Sequence, residues 1–275
     1  MQSSSLFPEE ERIILKSPQE IEKMRRSNRI VAEILEELKK AARPGVTTKE
    51  LDQLAEGLLT DYRVLSAFKG YNGYPAVLCT SVNEEIIHGI PSSRVLREGD
   101  ILSLDFGVIA DGFYGDAAVT LAIGEIPEKA SKLLRIGEEA LYLAIEQARP
   151  EKRLFDISAA IQHHVESNGF SVVRDFVGHG IGKLLHEKPQ VPNFGAAGRG
   201  VRLQAGMTLA IEPMINMGNH EVEILRDGWT AVTKDRSLSA HFEHSIAITE
   251  NGPTILSQIE GKERSPRRAS SSRGE

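Results

Sequence analysis

At 275 residues, 40% hydrophobic and 26% charged, the chain is long enough to bury a substantial core, as one large domain or two small ones. A net charge of −6 argues against general nucleic-acid affinity for the body of the protein, and the single cysteine, Cys79, excludes an intrachain disulfide and asks for no oxidising compartment. The opening residues MQSSSLFPEEERIILK hold no apolar stretch suited to a signal peptide. No run reaches the ~18 apolar residues of a membrane span, so a soluble, cytoplasmic protein without membrane attachment is expected.

Residues 1–14 read as a loose segment. Ser17-Pro18-Gln19-Glu20 then has the form of a capping box with proline at the first helical position. Ile21, Met24, Val31, Ile34, Leu35 and Leu38 follow at helical spacing until Pro44-Gly45 stops the run. A second helix opens at Thr47-Thr48-Lys49-Glu50 and carries Leu51, Leu54, Leu58 and Leu59. Strands follow to about Ile123. The order then recurs, with helices over about 127–148 and 155–167 and strands to about 256. Residues 259–275 hold the run KERSPRRASSSRGE, which has no core former and reads as a disordered basic Ser/Arg tail. A solvated tail is the first reading of it, and weak electrostatic contact with the ribosome the second.

Among the strands, ILSLDFGVIADGFYGDAA (101–118) reads as a hairpin. With Ala110-Asp111 as its two-residue loop, Asp105 faces Asp116 directly, roughly 4.5–5.5 Å away, and like charges so placed are destabilising. The residues recur as the elements do. ARP at 42–44 returns at 148–150, and LREGDILSLD (96–105) is matched by LQAGMTLAIE (203–212) in Leu, Gly, Leu and a terminal acid. HGIP (88–91) is echoed by HGIG (179–182). Each half thus carries a His-Gly-Ile, a strand ending in a carboxylate and an acid on a later strand. These are His88, Asp105 and Asp116 in the first, and His179, Glu212 and Glu243 in the second. Two α+β halves, about 15–124 and 125–258, are expected to face each other around a shared cleft within one domain.

Facing halves bring four acids together on largely apolar strands. Buried carboxylates cannot all stay ionised unless something positive joins them. The segments 101–110, 113–123, 207–217 and 243–249 contain no lysine or arginine, which points to metal. Two divalent cations would balance four carboxylates, and His179 would add one nitrogen. No cysteine pair or Cys–His pair stands at structural-zinc spacing. So hard a donor set suits manganese, iron or cobalt at least as well as zinc.

The segments YNGYPAVLCTSVNEEIIHGIP, LDFGVIADGFYGD, GHGIGKLLHEKPQVPNF, TLAIEPM and RDGWTAVTKDRSLSAHFEHS together resemble type I methionine aminopeptidase, the bacterial form, in order over about 15–258. The resemblance implies an α+β pita-bread fold, two pseudo-symmetric halves with antiparallel strands around a dinuclear metal cleft. It implies a monomeric enzyme that removes the initiator methionine from nascent polypeptides when the second residue is small. Two divalent ions per chain are implied, of cobalt, manganese, iron, zinc or nickel. Carried over residue by residue, Asp105 would bind one metal, His179 and Glu212 the other, with Asp116 and Glu243 bridging. His88 and His186 would flank and hydrogen-bond the substrate, and Glu212 would also move a proton from water to the leaving amine. Tyr71, Tyr74, Cys79 and Trp229 would line the methionine pocket. Gly107 and Leu185 stand where the family often has Thr and Phe, and Phe68 where it often has a small residue, which bears on fine specificity. A prolidase or aminopeptidase P would share the five ligands but carry a large N-terminal domain, and a silent binding module would be expected to lose ligands. His163 and His164 read as surface or boundary residues.

Overall fold

A computed structural model of the chain describes residues 12–259. The basic tail beyond Ile259 and most of the expected loose segment, residues 1–11, lie outside them. Helix α1, Pro18–Ala41, starts where the sequence places it: Ser17 Oγ accepts from the Glu20 N–H and the Glu20 carboxylate accepts from the Ser17 N–H. Helix α2, Thr48–Tyr62, repeats the device with Thr47 and Glu50. Such a cap satisfies two backbone donors that a helix start would otherwise orphan. Strands Leu65–Ser66 (β1), Leu78–Val82 (β2), Glu85–Ile87 (β3), Ile101–Ala110 (β4) and Phe113–Ala122 (β5) complete the first half. The second opens with α3, Glu128–Glu146, and α4, Leu154–Ser167, close to the expected spans. Its strands are Ser171–Val172 (β6), Val177–Gly180 (β7), Glu187–Pro192 (β8), Thr208–Ile211 (β9), Met214–Asn216 (β10), Val222–Ile224 (β11), Ala231–Thr233 (β12), Ser239–His241 (β13), Glu243–Thr249 (β14) and Gly252–Ile255 (β15).

The main sheet runs β1-β4-β5-β14-β9-β7-β8, with β2 on β4 and β15 on β14. Its centre is the antiparallel seam of β5 and β14, where Glu243 pairs with Ala118. Outward from the seam, β4 on one side corresponds to β9 on the other, as the repeat of 96–105 in 203–212 leads one to expect. Strand β2 lies against β4 where β7 lies against β9, so the expected match of HGIP with HGIG is not one of place, His88 following β3 outside the main sheet. Leu102, Leu104, Phe106 and Val108 of β4 pack with Val31, Ile34 and Leu35 of α1. Leu209, Ile211, Ile246 and Ile248 of β9 and β14 pack with Leu133 and Ile136 of α3 and Ile157 and Ile161 of α4. Side chains alternate along a strand. With the apolar set turned to the helices, Asp105, Asp116 and Glu243, together with Glu212 just after Ile211, fall on the opposite face.

The hairpin register differs from the expected one. The loop is Asp111-Gly112, not Ala110-Asp111, and both residues have positive φ, 51° and 77°. A tight I′ hairpin turn requires positive φ at both central positions, which Asp-Gly accepts and alanine resists. Moving the loop by one residue moves every partner by two, so Asp105 pairs with Ala118 and Asp116 with Gly107. The period of two keeps both aspartates on one face. They are diagonal neighbours, typically about 7–8 Å apart at the backbone, rather than directly opposed.

Candidate active site

Each His-Gly pair has its glycine set close against neighbouring backbone, but only the first histidine is left-handed, and His179 lies within strand β7 of the main sheet. His88 follows β3 in the left-handed region, φ 59°, a conformation that costs a non-glycine residue on the order of 1–3 kcal/mol. It is held there because Gly89 lies against β2: a Cβ on Gly89 would stand 2.2 Å from the Thr80 carbonyl oxygen, and the Gly89 carbonyl accepts from the Thr80 N–H at 2.8 Å. In the second half a Cβ on Gly180 would stand 2.2 Å from the Lys188 oxygen. The Gly180 carbonyl accepts from His179 Nδ1 at 2.9 Å. That bond places the ring proton on Nδ1 and leaves the Nε2 lone pair for a cation.

His179 Nε2 lies 3.6 Å from Glu212 Oε1, and donor atoms of Asp116, His179 and Glu243 gather within 4.8 Å of one another. Burial raises all four acids. It takes Asp105 to about 7, with the Glu212 charge adding to the rise and His241 opposing it, and Glu212 to about 8. Asp116 and Glu243 are pushed well above the ordinary carboxylate range by burial and then by the neighbouring acids. Burial lowers His179 to about 3 and His88 to about 4, so both imidazoles are neutral at physiological pH.

Three of the buried carboxylate oxygens, Asp105 Oδ1, Asp116 Oδ1 and Glu243 Oε1, have no hydrogen-bond partner. Among the described residues no lysine or arginine pairs with any of the four acids. Orphaned acceptors in a charge-repelling cluster are costly unless a cation completes them. The donor set, oxygen-rich with one free imidazole nitrogen, therefore fits divalent metal.

One cavity of about 160 Å³ is lined by the proposed ligands and substrate contacts, Asp105, Asp116, His179, Glu212 and Glu243, with His88, His186, Tyr71, Tyr74, Cys79 and Trp229. Phe68, Asn72 and Leu185 line it too. Tyr74 meets the Trp229 ring edge-on at 5.1 Å, and its hydroxyl lies 3.1 Å from the Leu78 and Gly89 carbonyls. Cys79 is buried and burial pushes its thiol up, so it serves as wall rather than nucleophile. His186, exposed at the mouth, has Nδ1 2.7 Å from the Tyr71 hydroxyl. With Tyr71 donating, the Nε2–H remains free to donate to a ligand. His163 is exposed, and His164 pairs with Glu139 at 2.9 Å away from the cavity.

Two packing features hold the walls. The Glu187 carboxylate, next to His186, accepts from the backbone N–H groups of Lys183 and Leu184 and forms a buried ion pair with Lys16. Lys16→Met would leave that charge unpaired in the interior, and breaking a buried pair costs about 3–5 kcal/mol. Urea unfolding should show a loss of that order, partly recovered by adding Glu187→Gln, which keeps the acceptor and drops the charge. Gly107 marks the second feature. A Cβ there would meet Ala67 Cβ and Phe68 Cε1, each at 2.9 Å, so the large Phe68 and the small residue 107 form a complementary pair. Gly107→Ala is expected to cost about 1–3 kcal/mol by overpacking. Phe68→Ala in the same chain should reduce that penalty in the same unfolding measurement.

One residue at this site escaped the sequence reading. His241 is buried, neither of its ring nitrogens has a partner, and its Nε2 lies 3.6 Å from Glu212 Oε2. The signal was present in SAHFEHS: residues two apart in an extended chain share a face, so His241 accompanies Glu243.

The profile of metallopeptidase family M24 matches residues 22–250. Methionine aminopeptidase of Clostridium perfringens is 56% identical over 247 residues, 90% of this chain and 99% of its own. Methionine aminopeptidase 1 of Bacillus subtilis is 52% identical over 247 residues, 90% of this chain and 100% of its own. The structure of the Thermotoga maritima methionine aminopeptidase superposes with a TM-score of 0.89 at 50% identity, covering 90% of this chain and 100% of that one. A prolidase of Pyrococcus horikoshii, with a TM-score of 0.73 at 21% identity over 90% of this chain and 64% of its own, shares the fold. The architecture is the pita-bread fold that these proteins have in common, and the chain belongs to the methionine aminopeptidases of metallopeptidase family M24.

Proposed function

We propose that the protein removes the N-terminal methionine of polypeptides whose second residue is small, with two divalent cations held by Asp105, Asp116, His179, Glu212 and Glu243. The observation that carries this reading is four acids lining one aromatic-lined cavity, Asp116 and Glu243 buried and Asp105 and Glu212 partly so, three of them with buried partnerless oxygens. When bound, the cations supply Lewis acidity, lowering the pKa of water toward neutrality and polarising the scissile carbonyl. Glu212, which reaches the metal site beside His179, takes the proton from water and delivers it to the leaving amine. His186 donates from Nε2 to the peptide while Tyr71 fixes its ring, and neutral His88, which lines the same cavity, supplies a second hydrogen bond. Tyr71, Tyr74, Cys79 and Trp229 enclose the methionine side chain, where thioether–aromatic contacts are favourable. Crowding between these walls and the acids limits the second residue to a small one.

Hydrolysis of Met-Ala, Met-Gln and Ala-Pro peptides with added manganese, cobalt, iron or zinc tests the reading. Cleavage of Met-Ala alone is expected. Preferential cleavage of Ala-Pro would assign the prolidase reaction instead. His186→Ala should lower turnover of the Met-Ala peptide by about 100-fold or more while leaving metal stoichiometry unchanged, since its role is to hydrogen-bond substrate. A drop in metal content to match that of His179→Ala would show that the two histidines have been exchanged.

A further inference from the structure

His241 sits on a rigid platform. Its N–H donates to Thr120 Oγ1 at 2.8 Å, the Thr120 hydroxyl donates back to its carbonyl at 2.7 Å, and Ser103 Oγ lies 2.8 Å from the same hydroxyl. The imidazole thus projects from a fixed backbone into the acid cluster, fully enclosed, with two polar atoms and nothing bound to either. Its nearest acidic atom is Glu212 Oε2, 3.6 Å from Nε2, slightly beyond hydrogen-bond range. The other Glu212 oxygen faces His179 Nε2, also at 3.6 Å. Glu212 is therefore flanked by two imidazoles, and only one of them belongs to the tight group that His179 forms with Asp116 and Glu243.

We propose that His241 is a positioning residue for Glu212: its Nε2–H donates to Glu212 Oε2 and holds the carboxylate in the orientation that binds metal. The proposal rests on the reading that Glu212 is a ligand. A buried donor facing an anionic ligand oxygen fixes the carboxylate plane and restrains its rotation. Loss of such an outer partner typically weakens metal binding about 10–100-fold. The role needs an N–H donor at this position and does not need an imidazole lone pair, which separates it from direct ligation.

Titration of Mn²⁺ alone into metal-free protein by calorimetry, with no peptide present, tests this directly. His241→Leu should weaken Mn²⁺ binding about 10–100-fold, and His241→Gln, which keeps a side-chain N–H donor, should stay close to wild type. Wild-type affinity in His241→Leu would overturn the proposal. A His241→Gln variant as weak as His241→Leu would overturn it too, by showing that a ring nitrogen itself binds the ion. Glu212→Gln is the control for the underlying reading: if that change leaves Mn²⁺ affinity unaltered, the ligand assignment fails, and not merely the partner assigned to it. Should His241→Leu not fold, nitrogen-15 NMR of the wild-type imidazoles answers the same question. With Zn²⁺ added, a protonated, slowly exchanging His241 Nε2 is expected, whereas the shift of a metal-bound ring nitrogen at His241 would overturn the proposal.

Discussion

Asp105→Asn lowers turnover of a Met-Ala peptide by two to three orders of magnitude and weakens the binding of at least one cation. The substitution keeps size and shape and removes one negative charge from a cluster in which Asp105 Oδ1 has no protein partner. Removing a single preorganised electrostatic group from a desolvated reaction centre costs about 10²–10³ in rate. Here the change also lowers the charge that offsets the cations. Steady-state kinetics on protein dialysed against a chelator and reloaded with one defined metal give the measurement. Full activity under those conditions would refute a dinuclear centre containing Asp105.

The second large effect is a stability that depends on pH only when metal is absent. Carboxyls whose folded pKa is raised bind more protons folded than unfolded, so stability is greatest below their unfolded pKa and falls as pH rises toward the folded one. Asp105 at about 7 and Glu212 at about 8, with Asp116 and Glu243 well above the ordinary range, set a window from about pH 4 to beyond pH 8. Buried His179, at about 3, and His88, at about 4, act in the opposite direction. Their stability contribution is lost as pH falls from about 6.5, so the carboxyl effect is cleanest above that value. Across two pH units, a carboxyl that kept its proton throughout in the folded state would cost on the order of 3 kcal/mol. The metal-free protein should therefore lose several kcal/mol between pH 6.5 and 8.5, while the manganese-loaded protein, with cations in place of protons, should hold its melting temperature. Parallel melting curves for the two forms over this range would count against convergence of the four acids.

The helix starts, the duplication and the ligand candidates were all legible without coordinates because each depends on local chemistry or on recurrence. Ser17 with Glu20 and Thr47 with Glu50 are caps closed within four residues, so their spelling is sufficient. The four acids stood out because strands otherwise apolar and free of lysine and arginine have no local way to neutralise them. The hairpin register was less accessible. Asp-Gly was visible as a turn, yet which pair closes the loop depends on positive φ at two adjacent residues. A one-residue error there moved Asp105 from a diagonal to a directly opposed position against Asp116 without changing its face. The period of two kept both aspartates on one face despite the error in pairing.

What the linear sequence determined by itself is the inventory of the candidate site: four carboxylates and one imidazole, two further histidines, aromatic residues that line the same cavity, and an apolar core on the opposite strand face. Only the tertiary structure decided who faces whom. His241 and Glu212 lie 29 residues apart in the numbering, on segments joined through the 3.6 Å approach of one side chain to the other. Lys16 reaches Glu187 across 171 positions. Phe68 covers Gly107 because the segment following β1, its Ala67 N–H bonded to the Gly107 carbonyl, runs beside β4 closer than a Cβ at position 107 would permit. Alternation and capping are properties of a few consecutive residues and are written in their order. Contacts between distant segments depend on how two sheets of side chains close on each other, and that closure is set by packing of the whole chain.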